Sequence, residues 1–77
     1  MSFENIFRTL SAESNLVDSI RINKLNKTAF DLRLETPSKT IILADSSLKL
    51  AIIANYISGI GEAYRVKGIG YSNLNDI

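Results

Sequence analysis

The most regular hydrophobic pattern in the chain is the alternation of Ala29-Phe-Asp-Leu-Arg-Leu-Glu35, in which Phe30, Leu32 and Leu34 point one way and Asp31, Arg33 and Glu35 the other. A period of two over this length predicts a half-buried strand, with Arg33 and Glu35 in solvent. Thr40-Ile-Ile-Leu-Ala44 is β-branched and apolar and reads as a second strand, joined to the first through Thr36-Pro-Ser-Lys39, a type I turn by composition. Closing that hairpin sets Leu34 opposite Ile41 and Leu32 opposite Leu43, so the buried faces agree. Upstream, Val17 to Leu25 reads as a strand with Ile20 and Ile22 inward. An odd-length loop or bulge after it pairs Ile22 with Leu32 and Ile20 with Leu34.

Two stretches show helical spacing. Phe3, Ile6, Phe7 and Leu10 fall at i, i+3, i+4 and i+7 behind Ser2, a suitable N-cap, and predict a short amphipathic helix before the polar Ser11 to Asn15. Asp45 to Ile57 predicts the central helix, followed by Ser58-Gly-Ile-Gly61 as a glycine cap. Glu62 to Lys67 then reads as a last strand with Tyr64 and Val66 inward, and Tyr71 to Ile77 as a polar tail. The expected fold is α+β: a small antiparallel sheet of three to four strands, a central helix on one face and a short N-terminal helix, in the order α-β-β-β-α-β. The chain is expected to form one globular domain over residues 1–77, with 72–77 as a loose tail.

The central helix carries more apolar surface than one sheet can cover. On a wheel of about 100° per residue, Leu50, Ala51, Ile53, Ala54 and Ile57 share a broad arc, while Leu48, Ile52 and Tyr56 form a second strip. That strip has to meet the N-terminal helix, through Phe3 and Phe7, or another protein.

Composition removes much chemistry. The 77 residues include no cysteine and no histidine, which excludes disulfides, thiol nucleophiles, the common zinc sites and imidazole acid–base work. No cofactor or metal is expected. Nine basic and eight acidic residues leave a net charge of +1, without the run of one sign that marks a polyanion-binding tail. The longest apolar run, Leu48 to Ile60, is broken by Lys49 and Asn55 and is too short to span a bilayer. A cytoplasmic location is expected.

Few residues suggest a site. Lys67-Gly-Ile-Gly-Tyr71 shares its glycines with the RNA-recognition octamer, but Ile69 stands where a stacking aromatic belongs, and the segment reads as a glycine bend. Neither Gly-Ile-Gly triplet leads into the lysine and serine or threonine of a phosphate-binding loop. Asp18, Asp31, Glu35, Asp45 and Glu62 are dispersed, and no spacing pairs them for acid–base work. In the sheet register above, Arg21 faces Arg33, and Arg65 and Lys67 could join them as an anion-binding or nucleic-acid-binding face. The first expectation is therefore a non-enzymatic protein–protein interaction module, an accessory, adaptor or stoichiometric inhibitor protein. It would dock through Leu48, Ile52 and Tyr56, with Phe3 and Phe7 as competing cover, and a homodimer is one form of that partnership. The alternative is a nucleic-acid-binding domain, for which the net charge offers little.

Overall fold

Three sets of residues, most of them small, recur at alternating intervals of four and three: Ile22, Asn26 and Ala29; Thr40, Ala44, Ser47 and Ala51; Gly59, Ala63, Val66 and Gly70. Every one of them is buried. That interval brings successive residues to one face of an α-helix, and each set is the inward stripe of one helix in a three-helix bundle. In this computed structural model, which describes the backbone of residues 3–75 and the side chains of residues 17–75, α1 spans Phe3–Asp31, α2 Pro37–Ile53 and α3 Ile57–Asn75.

The α+β expectation is thereby overturned, and no strand occurs among the described residues. Val17 to Leu25 lies inside α1, Thr40 to Ala44 inside α2 and Glu62 to Lys67 inside α3. The alternating stretch 29–35 is the last turn of α1 and the connection after it, so its apparent faces do not exist: Leu34 is 74% exposed, and Phe30, Leu32, Ile41 and Leu43 are only half-buried. Arg33 is half-buried too, whereas Glu35 is exposed as expected. Pro37 does not turn a hairpin. It occupies the first turn of α2, where a missing N–H costs nothing and the fixed φ favours a helix. The helix expected from Asp45 to Ile57 is divided at Asn55, whose φ of 54° is left-handed. There the Asn55 N–H bonds to the Ile52 carbonyl and the Tyr56 N–H to the Ala51 carbonyl, the paired bonds of a Schellman cap.

Hydrogen bonds between helices fix their directions. Thr40 Oγ1 donates to the Ala29 carbonyl at 2.6 Å and Ser47 Oγ to the Ile22 carbonyl at 3.3 Å, so α2 runs antiparallel to α1. Asp45 meets Lys67, and Ile41 lies over Gly70, so α3 runs antiparallel to α2. Asn26 Nδ2 reaches the Gly59 carbonyl at 3.4 Å, and Asn73 Nδ2 the Arg33 carbonyl at 2.9 Å, which aligns α3 with α1. Extending the α1–α2 pairing sets Ile53 level with about Leu16. At 1.5 Å per residue α2 accompanies only about 26 Å of the roughly 44 Å of α1, and the molecule measures 60 × 16 × 14 Å.

The core is small in side-chain volume. Ala29, Ala44 and Val66 form its centre, with Phe30 and Leu43 packed against it, and Ile22 and Val66 are the largest side chains wholly inside. Small residues at the crossings let helix axes approach toward the short end of the usual 8 to 10 Å or so. Two glycines are required for this. A Cβ on Gly70 would lie 2.8 Å from Ile41 Cγ1, and one on Gly59 2.5 Å from the Tyr56 ring and 2.9 Å from Ile22.

Candidate functional site

With so much of the interior built from small residues, many large aliphatic side chains lie outside: Leu34, Ile42 and Leu74 are exposed along the bundle and at its α1–α2 end, and five more are exposed toward the α2–α3 turn. Ile52, Ile53 and Ile57 flank the turn between α2 and α3 and are 55%, 82% and 73% exposed. At the same end of the bundle Val17 and Ile20 of α1 are half in solvent. Isolated exposed aliphatics are ordinary, but a concentration of them marks a contact surface.

Val17 and Ile20 also border an open groove of about 400 Å³ along α1, lined by Val17, Ile20, Arg21, Lys24, Leu25 and Thr28. These six residues occupy the side of α1 opposite Ile22, Asn26 and Ala29, since they lie within one arc at about 100° per residue. The groove has an apolar floor from Val17, Ile20 and Leu25 and a cationic rim from Arg21 and Lys24. Neither cation is within ion-pair distance of a carboxylate among the described residues. Reading 17–25 as a strand put Ile20 and Ile22 on one face and hid this arrangement. Helical spacing of 17, 20, 21, 24 and 28 was the signal that could have found it.

The residues expected to bind a partner are not one strip. Leu48 is buried in the bundle at 7% exposure, while Ile52, one turn on, is open. Tyr56 lies beyond the end of α2, half-buried, and its hydroxyl donates to Asn23 Oδ1 at 3.1 Å. The division of the helix at Asn55 is what separates Tyr56 from Leu48 and Ile52. Phe3 and Phe7 lie outside the residues whose side chains are described.

The four cations expected on a sheet face are likewise dispersed, because that face does not exist. Arg33 and Arg65 do converge, on Phe30: the Arg33 guanidinium lies 3.9 Å from the ring centroid and that of Arg65 5.4 Å. Such stacking is favourable by about 0.5–1 kcal/mol at exposed sites. Arg33 also donates to the Phe30 carbonyl at 3.1 Å, and Arg65 forms a two-pronged pair with Glu62. The pair holds the Glu62 carboxyl below the usual carboxylate range and the Arg65 guanidinium above its own ordinary value. Lys67 is on another side of α3, bonded to Asp45 at 3.1 Å, and Lys49 reaches the same carboxylate at 3.2 Å. Hydrogen bonds from Lys67 and then Lys49 lower the Asp45 pKa, and Asp45 in turn raises that of Lys67. Arg21 stands apart on the groove of α1.

Among the described residues no three carboxylates gather to hold a metal ion, and no helix is long and apolar enough to cross a membrane. The chain matches no family model, and comparison with curated proteins and with solved structures finds nothing similar. What can be assigned is the architecture, a three-helix bundle with Ile52, Ile53 and Ile57 exposed around the α2–α3 turn.

Proposed function

We propose that the chain is a non-enzymatic protein–protein interaction module, a small accessory, adaptor or inhibitor protein that docks an apolar helix of another protein. The observation that carries this reading is the gathering of Ile52, Ile53 and Ile57 in solvent at the end where Val17 and Ile20 open the groove of α1. Burying an aliphatic side chain of this size is favourable by about 1.5–3 kcal/mol, so a partner covering several of them gains a substantial affinity term. Arg21 and Lys24 on the rim favour a helix whose flanks are acidic. The alternative, nucleic-acid binding, loses the continuous basic face on which it relied: Arg65 and Lys67 are paired with carboxylates, and Arg33 is stacked on Phe30.

Fluorescence anisotropy with a labelled amphipathic peptide tests the reading, using a leucine face flanked by glutamates and a control flanked by lysines. The acidic peptide should bind and the basic one should not. Ile53→Asp and Ile20→Asp, both at exposed positions, should leave the helical circular dichroism and melting unchanged while abolishing binding. Equal binding of both peptides, or none to either, would remove the support for this site.

A further inference from the structure

The chain's own sequence contains a segment whose pattern fits the groove of α1. Phe3, Ile6, Leu10 and Glu13 follow one another at steps of three and four, and the next two steps are Val17 and Ile20 of the groove. This seven-residue repeat runs on to Lys24, on the side of α1 away from Ile22, Asn26 and Ala29. Residues 3–16 carry α1 about 21 Å beyond the level at which α2 ends, and α3 begins no closer, since Gly59 meets Asn26. A helical segment of that length draws its stability mainly from the packing of its apolar face. It cannot fold back onto the groove, because both belong to one continuous helix.

We infer that the N-terminal half of α1 from a second copy occupies this groove, the two α1 helices pairing antiparallel so that each groove takes residues 3–15 of the other copy. This rests on the reading above, that the groove takes an apolar helix with acidic flanks, and it names that helix. Charge selects the direction. Glu4 and Glu13 stand in the N-terminal half of α1, and Arg21 and Lys24, without ion-pair partners among the described residues, stand in its C-terminal half. Parallel pairing would set each carboxylate and each cation level with its own copy. A two-fold axis at the level of Asn15 instead sets Leu10 level with Ile20 of the other copy, Glu13 within one turn of its Arg21 and Glu4 within one turn of its Lys24. Ser14, Asn15 and Leu16 at the axis carry no charge, so no like pair is brought face to face. An isologous dimer requires this kind of self-complementary patch. Phe3 and Phe7 are of a size that buries about 150–250 Å² each. With Ile6, Leu10, Val17 and Ile20 the patch reaches roughly the 800 Å² per partner of a standard interface. The seam uses none of Ile52, Ile53 and Ile57, which belong to α2 and α3.

Sedimentation equilibrium of the full chain over a wide concentration range tests this. The wild type should show reversible monomer–dimer exchange, and Leu10→Asp and Ile20→Asp should each weaken it by about tenfold or more. Charge reversal tests the direction without disturbing the apolar positions. Glu4→Lys/Glu13→Lys and Arg21→Glu/Lys24→Glu should each weaken association by about tenfold or more, and the four changes combined should restore it, since opposite charges then meet again. In a parallel pair the combination would restore nothing. A wild type that stays monomeric at the highest concentration, association that survives Ile20→Asp, or a combined variant no better than the two halves would each overturn the inference. Binding of the glutamate-flanked peptide to Leu10→Asp, whose groove is intact and vacated, is read separately. Where it persists, failed self-association overturns the inference alone and leaves the groove to a helix of another protein; where it is absent too, the reading of the groove falls with it.

Discussion

The Thr40 hydroxyl donates a 2.6 Å hydrogen bond to the carbonyl oxygen of Ala29. Ala29 belongs to the last turn of α1, where its carbonyl also accepts a longer 3.3 Å bond from the Leu32 N–H. Thr40 is wholly buried in the first turns of α2, so a residue with the composition of a strand acts as a bracket between helices. Thr40→Val keeps the volume and removes the donor. It should cost about 1 kcal/mol of unfolding free energy, and Thr40→Ser, which keeps the donor, should cost less of it through the bond. Urea titrations of the three proteins measure the difference.

The same substitution should have opposite signs along α3. Gly70→Ala drives a methyl group against Ile41 and Thr40, and Gly59→Ala drives one against Tyr56 and Ile22. Each should destabilise the bundle by about 1–3 kcal/mol, the usual cost of overpacking. Gly61→Ala and Gly68→Ala meet open space and should stabilise it by roughly 0.5–1 kcal/mol from helix propensity. Thermal melts of the four variants give the values.

Stability should fall at both ends of the pH range through one contact. The folded Asp45 carboxyl titrates below its ordinary 3.8 because of Lys67 and then Lys49. Its contribution is therefore complete above that value and lost as pH drops through the lower folded one. Lys67 titrates above its ordinary 10.5, chiefly through Asp45, so its contribution is complete below 10.5 and lost as pH rises through the raised value. Asp45→Asn should flatten both limbs. Unchanged limbs in that variant would mean that the α2–α3 ion pair has no part in the pH dependence.

Binding to nucleic acid is expected to be absent. A gel shift with generic single- or double-stranded DNA at low salt should show no complex. A complex that weakens steeply with salt and disappears in Arg21→Glu/Arg33→Glu would reverse the ranking of the two functions.

Much of this architecture was present in the sequence in a form that hydrophobicity alone does not display. Ile20 and Ile22, or Phe30, Leu32 and Leu34, alternate over windows too short to separate a strand from a helix, and β-branched Thr40, Ile41 and Ile42 favour the strand by propensity. Tertiary packing overrode both. The helical period resides in the buried small and polar residues, Thr40, Ala44, Ser47 and Ala51 for α2 and Gly59, Ala63, Val66 and Gly70 for α3. A search for large apolar side chains gives these little weight. Pro37 was legible as either a turn or a helix start. Asn55 could have been recognised as a C-cap, since asparagine tolerates the left-handed conformation better than most residues. The glycines of α3 looked like breaks because nothing in the sequence indicates that a neighbouring helix needs their space. Near the end of α2 the sequence suggests Ile52 together with Leu48 and Tyr56, of which Ile52 is exposed and Leu48 buried. Ile53 and Ile57 were assigned to the opposite, covered face, since that wheel ran one helix through Asn55.

An interior of alanine, glycine, serine and threonine also shapes the calorimetry of this bundle. The heat capacity of unfolding rises mainly with the apolar surface newly hydrated, and for ordinary domains amounts to about 12–15 cal/mol/K per residue. Here Ile53, Ile57 and Leu34 are already largely hydrated in the native state, and the helix crossings release backbone and small side chains instead. The increment should lie below the ordinary figure, which flattens the stability curve: the protein loses little stability on cooling.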